Sequence, residues 1–246
     1  MKMLLTAFTL GAIASLFPAH AAEPKPVLLI IANQDFYYRE YADPKQVLEQ
    51  VGIKVVIGAG RKSICRPHPG SGQSDSGEVM PDIALADARG ADYSAIVFAG
   101  GWGASSYQYS FTNSYTTASY NGTAEIRKQA NRLITESLTA NNYVCGICHG
   151  VSVLAWARVD GKSPLTGKKV CAPAIAGPQF VHNRQQTQPS SRWHSEFNKA
   201  TVLPSGSVGN RSTVADDVVV DGKIITAENF DSASTFGTTL AKVLLK

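Results

Sequence analysis

After its first 22 residues the chain has no apolar run approaching the ~18 residues that a membrane helix needs, so no later stretch reads as a span. Runs of one charge are missing too. The formal net charge of +4 is spread thinly along the sequence, which argues for a solvated surface and against a nucleic-acid or membrane-surface partner. No His, Cys, Asp and Glu spacing makes a recognisable metal site, and no cofactor is expected. Internal repeats are absent. Cysteine is scarce, with four residues, Cys65, Cys145, Cys148 and Cys171, and four allow three complete pairings that sequence does not rank.

What the chain does have at its start is a secretory pattern: Lys2, an apolar run from Met3 to Phe17, and the small-x-small end Ala19-His20-Ala21. Cleavage after Ala21 or Ala22 leaves residues 23–246, enough for one sizeable α/β domain and short for two. The mature protein is therefore expected to be exported, periplasmic in a bacterium or otherwise secreted, without a membrane anchor. Export permits disulfides. If Cys148 works as a free thiol, Cys65 and Cys171 make one possible bridge.

The stretch Tyr143-Val144-Cys145-Gly146-Ile147-Cys148-His149-Gly150 organises the rest. It reads as a buried strand, Tyr143 to Ile147, stopping at Cys148, followed by the helical run Val151 to Trp156. A sharp strand-to-helix corner exposes its residue on an elbow while the next backbone N–H groups sit at a helix start. A cysteine there has its thiolate favoured by the helix end, and by an imidazolium if His149 leans toward it. A structural cysteine beside a surface histidine is the alternative; the small flanks Gly146 and Gly150 favour the elbow.

Around it, Pro26–Ala32 reads as a strand covered on both faces, a helix runs through Pro44 to Val51, and Ile53–Gly58 is a second strand, which together make a βαβ unit and a parallel sheet. Arg61–Val79 is a Gly-, Ser- and Pro-rich excursion. Asp92–Ala99 is another buried strand ending in Gly100-Gly101-Trp102-Gly103, where glycines allow close backbone approach to an anion or oxyanion, or simply a tight turn. Ser105–Gly122 carries Tyr107, Tyr109, Phe111, Tyr115 and Tyr120, and reads as a lid, a substrate-contacting wall or an oligomer contact. Ala124–Thr139 is an amphipathic helix. Gly167–Ala172 holds a short strand, Pro178–Val208 has no period, Val218–Thr226 is an Asp-Gly hairpin, and a helix closes the chain from about Ser232 to Leu245.

The elbow Ile147-Cys148-His149-Gly150, the strand-ending Gly100-Gly101 and the run Asp221 to Asn229 before a last helix resemble the ThiJ/PfpI family, the DJ-one group within the class I glutamine amidotransferase-like superfamily. The resemblance spans nearly all of residues 23–246. It implies an α/β fold, a flavodoxin-like α/β/α sandwich with a mostly parallel central sheet, and a homodimer. It implies Cys148 as nucleophile and the N–H groups of Gly101 and His149 as the oxyanion site; beside them His149 is expected as general base and acid, and Gly100, Trp102 and Gly150 as oxyanion or substrate-binding residues. The family's glutamate after the first strand falls on Glu40, whose carboxyl, kept protonated by burial, would donate to the thiolate and keep the thiol pKa low. Two departures stand out: Pro173 replaces a second histidine found in several relatives, and no acid in Pro173–Pro178 can orient His149. A third member would come from Glu196, Asp216, Glu228 or a neighbouring subunit, and His182 and His194 are loose candidates that read better as surface histidines than as catalytic ones.

Two classes of function follow. The first is hydrolase or lyase chemistry on a carbonyl-type small molecule or peptide, of amidase, peptidase, glyoxalase or deglycase kind; isocyanide hydratases usually carry threonine where His149 stands. The second is a redox- or stress-sensing or chaperone-like protein without turnover. Cys145-Gly146-Ile147-Cys148 has thioredoxin-type spacing, but Cys145 falls inside the strand, so only Cys148 is expected to sense oxidants.

Overall fold

The computed structural model describes residues 25–173 and 189–246, together with the backbone of a small hairpin, Phe180–His182 and Gln185–Thr187. The secretory stretch, the side chain of His182 and the expectations placed on 174–179 lie outside the described residues.

Seven strands make the central sheet: β1 (Val27–Ile30), β2 (Val55–Ala59), β3 (Ile83–Ala84), β4 (Ala95–Phe98), β5 (Tyr143–Ile147), β6 (Val218–Asp221) and β7 (Ile224–Ala227). Their order across the sheet is β6-β7-β5-β4-β1-β2-β3. Only β6 and β7 pair antiparallel, through Val218 opposite Ala227 and Asp221 opposite Ile224. Every other pair is parallel, as in Val27 opposite both Val55 and Ala95, and Ala95 opposite Tyr143. β1 and β4 are fully buried along their length, which is why each reads as an unbroken apolar run rather than an alternation.

Among the described residues five α-helices cover the faces: α1 (Tyr38–Gln50), α2 (Ala124–Thr139), α3 (Gly150–Trp156), α4 (Ser191–Phe197) and α5 (Ala233–Leu244). α2 starts where Thr123 accepts the Ile126 N–H, leaving Leu133 and Ile134 buried. α1 begins earlier than its sequence pattern suggests, so Pro44 lies inside it. At this point α5 brings Gly237, a residue without Cβ, against the Pro44 backbone. Lys169–Val170 forms a separate parallel pair with Thr201–Val202 and stays out of the main sheet.

Chain order turns round between β1 and β4, since β1 continues to β2 on one side while β4 continues to β5 on the other. Crevices outside the carboxyl ends of strands at such a reversal are where open α/β sheets hold ligands. The segments leaving β1, β4 and β5 carry Glu40, Gly100 and Cys148 to that edge.

All four cysteines are free. The possible Cys65–Cys171 bridge is therefore not formed; both side chains are buried, and burial pushes each thiol up to about 12. Nor is the tyrosine-rich segment a lid. Tyr107, Phe111 and Tyr115 are core residues. The Tyr107 hydroxyl donates to the Ile31 carbonyl and accepts the Gly60 N–H, each at 2.8 Å, while Phe111 stacks on Tyr115 and packs against Trp156. No helix among the described residues is long and apolar enough to cross a membrane.

Candidate active site

Cys148 sits at the end of β5 with φ 52, a left-handed backbone conformation costly for a residue with a Cβ. Two interactions hold it there: its N–H donates to the Ala227 carbonyl at 3.0 Å, and its carbonyl accepts the Val151 N–H at 3.2 Å. The flanking glycines make the corner possible. A Cβ at Gly150 would overlap the Phe98 carbonyl oxygen, and one at Gly146 would press on the Gly150 and Val151 backbone at 3.0 Å. The elbow expected from sequence is thus present, and small residues are its structural requirement.

The sulfur environment comes from two other strands. After β4, Gly100 leaves room where a side chain would strike Glu40 and the Cys148 Cβ, and Gly101 adopts φ 84 against the backbone of Asp35, Phe36 and Tyr37. After β1, the first turn of α1 aims Glu40 into this gap, where it is completely buried. Burial pushes the Glu40 carboxyl up to about 8, against the pull of the Cys148 thiol and the Gly100 N–H. Neither carboxyl oxygen has a partner of good hydrogen-bond geometry, so those two contacts are long or bent, and desolvation dominates.

Burial also raises the Cys148 thiol, and a Glu40 carboxylate raises it further, while the N–H groups of His149 and Gly101 favour the thiolate. The low thiol pKa expected from sequence is therefore not what the structure gives. A thiolate forms here at the expense of a proton on Glu40, so the two groups titrate as one unit.

His149 differs from its expected role as well. Its backbone N–H serves the sulfur, but its ring turns away: Nε2 lies 2.8 Å from Ser105 Oγ and Nδ1 lies 3.0 Å from Ser191 Oγ. Burial lowers the ring to about 3, so it is neutral at ordinary pH. The two serines occupy the place of the orienting acid. Glu196 instead pairs with Arg192 at 2.8 Å, Asp216 accepts the Asn210 N–H, and Glu228 accepts the Ser205 hydroxyl. His194, taken as a surface residue, is fully buried; it accepts the Trp156 indole N–H at Nδ1 and packs its ring 5.7 Å from that of His149.

A cavity of ≈ 270 Å³ opens onto Cys148. Its walls include Tyr37, Trp102, Phe230 and Pro173, with His149, Ser191 and His68 as polar members. Tyr37 stacks on Phe230 with ring centres 5.0 Å apart, and Trp102 leans on the His149 ring at 5.1 Å. The sequence marks Trp102 as a wall of this cavity but not Tyr37, Phe230, His68 or Ser191, nor Ser105 behind the His149 ring. Among the described residues no His, Cys, Asp and Glu group is arranged to hold a metal ion.

No family model matches the sequence. Among curated proteins it is 28% identical over 220 residues to an uncharacterized protein of Methanocaldococcus jannaschii, covering 89% of this chain and 82% of that one. Solved structures share its fold. A ThiJ/PfpI domain protein from Brachyspira murdochii superposes with TM-score 0.61 at 18% identity, over 91% of this chain and 98% of that one. The 24 kDa rapid encystment protein of Francisella tularensis gives 0.66 at 20% identity, over 90% and 100%. Drosophila melanogaster DJ-1beta gives 0.61 at 18%, over 90% of each chain. The chain has the flavodoxin-like α/β fold of the ThiJ/PfpI and DJ-1 superfamily proteins.

Proposed function

We propose that this protein is a cysteine-dependent hydrolase or lyase acting on a carbonyl-type small molecule or peptide. The observation that carries the reading is Cys148, held at φ 52 on the floor of a cavity beside the completely buried Glu40. Glu40 takes the thiol proton, the sulfur attacks the carbonyl carbon, and the electron pair displaced onto oxygen is received by the N–H groups of Gly101 and His149. Such donors act strongly in a water-poor site because no reorganisation is needed as charge develops. Aromatic walls suit a substrate with an apolar group next to its reactive carbonyl.

Amide, peptide and dicarbonyl substrates incubated with the wild type and with Cys148→Ala test the reading. Turnover of one of them that vanishes in the variant is expected. Equal consumption by both proteins would sink the nucleophile assignment and leave a sensing or chaperone-like role.

Export and self-association belong to the same proposal. When the chain is produced with residues 1–22 in a Gram-negative host, the periplasmic form should begin at Ala22 or Glu23; an unprocessed chain in the cytoplasm would contradict export. Light scattering should give the mass of a homodimer, and a monomer mass at micromolar concentration would contradict it.

A further inference from the structure

Tyr37, Phe230 and Trp102 wall the cavity that holds Cys148, and their surroundings fix them in place. Tyr37 is tied to the oxyanion turn, its N–H donating to the Gly100 carbonyl at 3.1 Å. The two residues after it are held by Ser71, whose Oγ accepts the Tyr38 N–H at 3.0 Å and whose carbonyl accepts the Arg39 N–H at 3.2 Å. The rings of Tyr37 and Phe230 are nearly parallel, with 12° between their planes. The Arg39 guanidinium lies 5.1 Å from the Phe230 ring centre, and Asp43 and Asp231 pair with it at 3.3 and 3.7 Å. Walls set in advance in this way lose little freedom when a ligand enters.

Size and charge narrow the ligand. An apolar cavity of roughly 150 Å³ already takes up benzene, so ≈ 270 Å³ leaves room for one aromatic ring and its carbonyl. Against aromatic walls a flat ring gains more than a saturated ring of the same size. Among the described residues no lysine or arginine lines the cavity, and Arg39 is engaged with Phe230 and two aspartates. A carboxylate or phosphate on the ligand would therefore enter without a counter-charge.

Tyr37 also brings a polar tip. Its hydroxyl has no hydrogen-bond partner among the described residues. Burial raises its phenol, and Glu40 and Cys148 raise it further, so the hydroxyl keeps its proton and remains a donor. A wholly apolar ligand would cover this donor without replacing its water, whereas one with an acceptor at that point satisfies it. Sites built to hydrogen-bond a substrate group discriminate against analogues that lack the group.

We propose that Tyr37 determines the substrate of this site: its ring, with Phe230 and Trp102, seats an uncharged aromatic group next to the reacting carbonyl, and its hydroxyl hydrogen-bonds a polar substituent on that group. The substrate class is uncharged aryl acyl compounds bearing a hydroxyl-type substituent. The proposal rests on the reading of Cys148 as nucleophile for its chemistry, while the selectivity in binding is measured without that thiol.

The test is calorimetric titration of the full chain carrying Cys148→Ala with carboxamides, which form no thioester with it. Benzamide should bind roughly tenfold more tightly than cyclohexanecarboxamide, and the anionic terephthalamate should bind more weakly than benzamide. The best of the three hydroxybenzamides should exceed benzamide by about fivefold. Adding Tyr37→Phe, which keeps the stacked ring, should erase the hydroxyl preference and leave the preference for a flat ring. No binding of benzamide, equal affinity for the saturated ring, tighter binding of terephthalamate, or a hydroxyl preference that is missing or that survives Tyr37→Phe would overturn the proposal. Failure of the nucleophile reading is a different result: p-nitrophenyl benzoate would then be hydrolysed equally by wild type and Cys148→Ala, with these affinities unchanged.

Discussion

Replacing Glu40 by glutamine should remove a large pH dependence of stability. In the unfolded chain this carboxyl titrates at its ordinary value of 4.5, whereas in the fold burial raises it to about 8. Because the folded pKa is the higher one, its contribution is fully present below about 4.5 and is lost as pH rises through about 8. That difference corresponds to an upper bound of roughly 5 kcal/mol, at 1.36 kcal/mol per pKa unit. Cys148 shares the proton, so a loss of a few kcal/mol is the working expectation. Denaturant melts of wild type and Glu40→Gln at intervals from pH 5 to 9 measure it. The wild type should weaken steadily over this range, and the glutamine variant should keep most of its acid-side stability. Parallel curves for the two proteins would refute the buried, proton-holding acid.

Three further outcomes follow from the same geometry. Gly150→Ala drives a Cβ into the Phe98 carbonyl oxygen, so the elbow must shift; a loss of about 2 kcal/mol or more in chemical denaturation is expected, and an unchanged midpoint would contradict the tight corner. Tyr107→Phe strands the buried Ile31 carbonyl and takes the partner from the half-buried Gly60 N–H. It should cost roughly 2 kcal/mol by the same assay, whereas a lid residue would change turnover and leave stability alone. The profile of kcat/KM against pH should rise as the Glu40 carboxyl, pushed up to about 8 by burial, loses its proton and show no inflection near 6.5, because burial holds the His149 ring down at about 3. A clear limb at 6.5 would return His149 to the role of a titrating base.

The sheet and the elbow were legible because both are written in local patterns. β1 and β4 are unbroken apolar runs, and Gly146, Cys148 and Gly150 fall where a strand must turn into a helix at close quarters. Glu40 could be placed only through the family resemblance, since a lone glutamate near the start of a helix looks like any solvated acid. The partners of the His149 ring left no local trace. Ser105 and Ser191 lie 44 and 42 residues away, in polar segments without a period, and serines announce neither charge nor periodicity. His194 was misplaced for the same reason, as its burial depends on Trp156 and Phe111 arriving from other elements. The tyrosine-rich segment misled because composition reports hydroxyls but not whether backbone groups such as those of Ile31 and Gly60 will satisfy them inside.

The central claim is that Cys148 is a nucleophile whose proton is taken by Glu40. The alkylation rate of each cysteine, followed by peptide mass spectrometry from pH 5 to 10 in wild type and Glu40→Gln, tests it most directly. Cys148 should react faster than the other three in the wild type, at a rate that rises as the Glu40 carboxyl, pushed up to about 8 by burial, loses its proton, while Cys65, Cys145 and Cys171 stay inert behind burial that raises each of them. At pH 7 the glutamine variant should react about tenfold more slowly, because its amide is a weaker hydrogen-bond donor to the thiolate than the protonated Glu40 carboxyl. Equal rates in the two proteins, or a Cys148 as inert as the other three, would contradict the account.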